Sequence, residues 1–207
     1  MEITENNTIT DIDGNTYNVV QIGKQFWTAE NLTVSKYRNG DEIPEVQDKT
    51  EWANLTTGAW CYNENQYENG TAYGKLYNWY AINDPRGLAP EDFHIPTDRE
   101  WNELTDCLGG AIDGAGEKMK QKGTDLWKSK NEKATNSSGF KALPGGSRFW
   151  NGSFTEIGYE GNWWSSSEED SNNAFFHSLG GSNYYSVKSN SFNKLFGFSV
   201  RCIKDKK

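Results

Sequence analysis

The chain is poor in the residues that commonly staple or fill a domain: among 207 residues it has 3 Cys, 2 Met and 5 Pro. Three cysteines (Cys61, Cys107 and Cys202) permit at most one internal disulfide, and the odd count argues against a disulfide framework. Reduced thiols and a single bridge both fit. Positive charge is also scarce, with 21 Lys and Arg against 29 Asp and Glu and a formal net charge of −8. Such a chain is unsuited to phosphate backbones, so no nucleic-acid partner is expected. No apolar run approaches the roughly 18 residues of a membrane span. The opening MEITENNTIT has no basic segment followed by an apolar one, so no signal peptide is expected in this chain. The glycine-rich pieces lack the Lys-Ser/Thr of a phosphate loop, and no motif calls for a cofactor.

Aromatics are plentiful instead. Mean hydropathy is −0.87, which taken alone reads as disorder. Yet 14% of the residues are aromatic, with 9 Trp, and these are the means of building a core. One loop-rich domain over residues 11–205, with an N-terminal tail over 1–10, is the expectation.

In chain order, Asp11–Asn15 (DIDGN) has the look of a calcium loop, but Gly14 comes too early and the closing Glu is missing. An Asp-Gly turn between short strands is the better reading, followed by a strand over Thr16–Ile22. Phe26, Trp27 and Leu32 then pin this hairpin to the body. Thr33–Tyr67 is polar and irregular, with a strand at Gly58–Tyr62. Leu76, Tyr77, Tyr80 and Ala81 have helical spacing within Tyr73–Ile82, and Pro85 and Pro90 stop that helix. Thr97 and Glu100 form a capping box ahead of Trp101, Leu104 and Leu108, and Gly109-Gly110 ends the helix. A short helix covers Ala115–Lys122. The last strand alternates Phe196, Phe198, Val200 and Cys202 with Gly197, Ser199 and Arg201, so one face is expected inward.

The segments DIDGNTYNVVQIGKQFWTAENL, YGKLYNWYAI, FHIPTDREWNELTDCLGG, TNSSGFKALPGG, NWWSSSE and GFSVRC, in this order, resemble the Fibrobacter succinogenes major paralogous domain. The resemblance runs from Asp11 to Asp205. It implies an α+β, C-type lectin-like fold related to the formylglycine-generating sulfatase-modifying domain: two helices on a small twisted antiparallel sheet, with long loops and neighbouring termini. Members commonly bridge a Cys between the helices to one near the C-terminus. Ala89 stands at the first position, so that bridge to Cys202 is expected to be lost, leaving Cys107 as a substitute partner. Many relatives are exported surface proteins.

Chemistry of the sulfatase-modifying kind needs a cysteine pair, and Cys202 is alone in its region. Calcium-dependent sugar binding needs Glu-Pro-Asn or Gln-Pro-Asp and Trp-Asn-Asp strings, and none occurs. Glu168, Glu169 and Asp170 read as a solvated loop. His94 reads as a packed or capping histidine rather than a general base, and His177 reads as a contact residue, because no nucleophile or carboxylate stands at a recognisable spacing from it. Six Asn-x-Ser/Thr sequons, beginning with Asn6, are expected from the Asn-rich composition.

Between Ser147 and Phe196 stand 12 aromatics, 11 Ser and 7 Asn against 4 Ile, Leu or Val. Binding loops use this mixture, because rings give rigid contact area and small polar residues give adaptable hydrogen bonds. Trp79, Trp101, Trp163, Trp164, Phe196 and Phe198 fall on motif or periodic positions and are read as core. Phe149, Trp150, Asn151, Tyr159, Asn162 and Phe176 lie between those positions, as do His177, Asn183, Tyr184, Tyr185, Asn190 and Phe192. They are the candidate ligand-binding surface. The expectation is a non-enzymatic recognition or adhesion module for a glycan or protein, acting at a cell surface or on a phage virion. Because Asn codons randomised at adenine yield Ser, Tyr, Phe, His and Gly, Phe149–Lys194 also suits a segment varied by a diversity-generating retroelement. An enzyme of the sulfatase-modifying type and a structural module are the alternatives.

Overall fold

Asp11 sets the first turn. Its carboxylate accepts hydrogen bonds from the backbone N–H groups of Asp13 and Asn15, at 3.0 and 2.9 Å. The turn joins β1 (Thr8–Thr10) to β2 (Thr16–Ile22), an antiparallel pair with Thr10 opposite Thr16. Regular structure therefore begins ahead of the boundary expected at residue 11, because the threonines of β1 find a ladder partner in β2. The computed structural model describes residues 8–112, 114–128, 131–180 and 183–206, the side chains of Asn183 and Tyr184 excepted. Asn6 lies outside the described residues.

After β3 (Gln25–Thr28) come α1 (Lys49–Ala53), β4 (Trp60–Cys61), α2 (Tyr67–Tyr73), β5 (Leu76–Tyr77) and α3 (Trp79–Ile82). The helix expected over Tyr73–Ile82 is not formed. Gly74, at φ 82°, ends α2, and β5 turns back to pair with β4. Asn78 then caps α3 by accepting from the Ala81 N–H at 3.1 Å. The error has a physical cause: all of Tyr73–Ile82 except Gly74 and Tyr80 is buried, so no solvent face exists to phase the pattern.

β6 (Phe93–His94) leads to α4 (Asp98–Cys107), where the expected capping box is present. Glu100 accepts the Thr97 N–H at 2.9 Å, and the Thr97 hydroxyl receives the Glu100 N–H. The short helix α5 (Ala115–Met119) follows, then β7 (Gly145–Arg148), β8 (Phe154–Ile157), β9 (Glu160–Glu168), β10 (Asn173–Gly180), β11 (Asn183–Asn193) and β12 (Ile203–Lys204).

The result is mixed α and β, with few helices and mainly antiparallel sheets. One five-stranded sheet has the order β1-β2-β3-β12-β6, which brings the chain ends together, and a second runs β11-β10-β9-β7-β8. At the centre of the second sheet β9 and β10 are buried on both faces. Trp164 and Phe176 enter a core cluster with Tyr77 and Phe198, while Trp163 and Leu179 enter another with Trp27, Trp101 and Phe140.

Phe196, Phe198, Val200 and Cys202 do share one inward face, but the opposite face is not solvated. Arg201 is fully buried there, with its guanidinium 4.4 Å from the Phe140 ring centre. It donates to the carbonyls of Thr28, Phe140 and Lys141 and to the Asn31 side chain. Arg148, also fully buried, holds the carbonyls of Val46, Gln47 and Asp48 in the same way. Buried guanidinium groups thus satisfy loop carbonyls that helices or ladders would otherwise take.

Candidate functional site

A cleft of about 560 Å³ opens where the β1–β2 turn, the segment after Leu32 and α2 converge. The Asp11 turn presents Asp13 and Asn15 on one side. Asp13 also accepts the Ser35 N–H, which ties this turn to the opposite rim. Lys36 bridges Asp13 and Glu42, at 3.7 and 3.5 Å. The far wall is aromatic: Tyr62 lies edge-on to Tyr67 at 5.7 Å, and Tyr67 is 69% exposed. Tyr62 can lie this close to α2 only because Gly70 lacks a side chain, since an added Cβ would stand 2.2 Å from the ring.

Lys75 forms part of the cleft lining although it is only 3% exposed. Its ammonium sits 3.6 Å from the Trp60 ring centre and donates to the Ser35 hydroxyl. Burial lowers its pKa to about 8, against the opposing pull of carboxylates further off, Asp13 first. Among the described residues it forms no ion pair. A second cleft of about 360 Å³, with Glu30, Gln121 and Lys141 in its lining, shares Thr33, Gly70 and Thr71 with the first.

The residues expected as a C-terminal binding surface do not form one patch. Asn162, Phe176 and His177 are buried, and this corrects their reading as surface anchors. Phe176 is stacked 4.9 Å beneath Phe192, and Asn162 lies on β9, flanked by β7 and β10. His177 stacks on Trp101 at 5.1 Å, and its Nε2 meets Asp98 Oδ1 at 2.8 Å. That hydrogen bond, first among several, holds the Asp98 carboxyl below its usual range.

Of the remainder, Trp150 is 53% and Phe192 44% exposed. Phe149, in the β7–β8 turn, and Phe192, on β11, meet around Phe196, at 5.0 and 4.8 Å. Asn151 is engaged in its own turn, accepting the Ser153 N–H and hydroxyl. Tyr159 is exposed between β8 and β9, whereas Tyr185, on β11, is half-buried and its hydroxyl accepts the Lys133 N–H. Asn190 is exposed on β11, an edge strand. The side chains of Asn183 and Tyr184 lie outside the described residues.

The residues set aside as structural are placed as follows. His94 lies between two carboxylates, Asp205 at 2.6 Å and Glu100 at 3.1 Å, and the Glu100 hydrogen bond leads in raising its pKa. Glu168 pairs with Lys194, and Asp170 receives the Asn172 and Asn173 N–H groups. All three cysteines are free. Burial raises the Cys202 thiol far above its usual range, and neither cleft is lined by it. Among the described residues, no group of three or more His, Cys, Asp and Glu is placed to hold a metal ion. Likewise, no helix among them is long and apolar enough to cross a membrane.

The cleft has little signature in the sequence. Its one available signal was Lys75, a charge inside the YGKLYNWYAI segment, where almost everything else is apolar or amide. Searches of curated proteins and of solved structures return no match. The sequence profile of the Fibrobacter succinogenes major domain, by contrast, matches residues 20–204, nearly the whole chain, and the protein belongs to that family.

Proposed function

We propose that this domain is a non-enzymatic recognition module and that the cleft beside α2 receives a glycan. The observation that carries the reading is the pairing of an exposed Tyr67–Tyr62 wall with a floor and rim of carboxylate, amide, hydroxyl and ammonium groups. A sugar ring presents an apolar C–H face to an aromatic ring and hydroxyls to such donors and acceptors. Small-ligand sites share this plan, in which hydrophobic surface gives contact and a few polar groups fix orientation. The finer fold reading is a C-type lectin-like variant. It is supported by β12, whose Ile203 pairs with both Trp27 and His94 and so joins the two ends of the chain. The setting we propose is extracellular, on a cell surface or a phage virion.

The test is a glycan-array screen with the whole chain, followed by mapping of backbone amide shifts for the best binder. Shifts gathered at Asp13–Asn15, Ser35–Lys36 and Gly70–Lys75 support the reading. No binding to any sugar overturns it.

A second reading places a protein ligand on Phe149, Trp150, Asn190 and Phe192, in a segment diversified by a retroelement. The exposure of Trp150 and Phe192 favours it. It requires a reverse transcriptase gene and a near-copy of the segment beside this gene, and finding neither removes it.

A further inference from the structure

Lys75 raises a question that the general reading of the cleft leaves open. Buried charges are ordinarily neutralised by a partner, because an uncompensated ion away from water is costly. Here the ammonium has a neutral hydroxyl and a ring face, and no ion pair among the described residues. The other cation of the cleft, Lys36, is already shared between Asp13 and Glu42. Lys75 is therefore the cleft cation with capacity for a ligand's negative charge, and it lies at the floor while the two carboxylates line the rim.

Resting on the reading of the cleft as a glycan site, we propose that Lys75 and Ser35 receive a carboxylate, so that the site selects acidic sugars over their neutral counterparts. The carboxylate takes a charge-assisted hydrogen bond from the ammonium and one from the Ser35 hydroxyl. The Tyr67 ring takes the sugar's C–H face, and Asp13 and Glu42 accept its hydroxyls. Those two rim carboxylates disfavour a dianion such as a phosphate ester, whose second charge would find no cation. Acidic sugar units carrying one carboxylate each suit this balance.

The experiment is calorimetric titration of the whole chain with a uronic-acid oligosaccharide and with the same oligosaccharide after carboxyl reduction. The acid form is expected to bind about tenfold tighter or more, the scale of one hydrogen bond to a charged group. Lys75→Met erases that difference, Lys75→Arg keeps most of it, and Ser35→Ala weakens the acid form alone. The thermal midpoint of each variant verifies folding, and Ser35→Ala carries the test if Lys75→Met does not fold.

A second readout comes from protons. Near pH 8 about half of the Lys75 side chains are neutral before binding, so the acid form takes up protons as it binds. The apparent enthalpy then depends on the ionisation enthalpy of the buffer, and the neutral form shows no such dependence. Equal binding of both forms, unaffected by Lys75→Met, overturns the selection while leaving the cleft as the glycan site. A screen in which no sugar of either kind binds overturns both.

Discussion

The C-terminal sheet and the cleft beside α2 are opposites in composition and in fate. The sheet has the residues of a binding surface, yet Trp163, Trp164 and Phe176 are buried at its centre, where β9 and β10 are covered on both faces. The cleft is built from a turn, an irregular segment and one short helix, and it gathers an exposed ring, two carboxylates and a buried ammonium. Residue type reports what a side chain is able to contact. Which side of a layer it faces decides whether it meets ligand or core.

The sharpest way to break this comparison is within the sheet. Trp164 is fully buried and donates its ring N–H to the Tyr77 carbonyl at 2.8 Å. Trp164→Ala is expected to cost about 3–5 kcal/mol, the range for truncating a core Trp, in urea unfolding. A loss below about 1 kcal/mol would place this ring outside the core and undo the contrast.

A smaller effect is expected at the start of α4. Glu100 completes the capping box and also pairs with His94. Burial pushes its carboxyl up, but the hydrogen bonds from His94 and Thr97 outweigh this and bring it down to about 2. A carboxyl with a depressed folded pKa contributes stability above its unfolded value near 4.5, and loses it as pH falls towards 2. Glu100→Gln should therefore cost about 1 kcal/mol at neutral pH. The difference from the parent chain should shrink on acidification below 4.5, and a constant difference would disprove the pairing.

Lys75 gives a subtler, pH-dependent signal. Its folded pKa, about 8, lies below the ordinary 10.5, so between these values the unfolded chain holds more protons. Stability from this group accordingly rises with pH across that window, and the cost of burying the charge is full below it. Relative to Lys75→Met, the parent chain should be less penalised at pH 9.5 than at pH 7.5. A gap that does not change with pH would mean that the ammonium is not desolvated. Least of all should happen at Trp150, which is 53% exposed: Trp150→Ala should shift stability by no more than about 0.5 kcal/mol.

What the sequence made legible divides along the same line. The Asp11 turn, the capping box and the stop at Gly109-Gly110 are local devices, each set by a few neighbouring residues, and all three are present. Trp79, Trp101, Trp163, Trp164, Phe196 and Phe198, read as core, are all buried. Patterns that assume one solvated face failed where there was none, at Tyr73–Ile82 and at Arg201. The cleft was illegible for another reason. Asp13, Ser35, Glu42, Tyr67 and Lys75 meet only after the chain has folded, and each of the first four taken singly reads as a turn or loop residue. Lys75 alone stood out, as a charge in a segment otherwise destined for burial.

In this protein recognition is proposed to belong to the cleft and not to the aromatic-rich sheet. Comparing the affinity of one glycan binder for Tyr67→Ala and for Trp150→Ala tests it most directly. Both residues are exposed, so neither change should disturb the fold. Tyr67→Ala is expected to lose about tenfold or more, on the scale of a lost ring contact, and Trp150→Ala to keep its affinity. The reverse result would contradict the proposal.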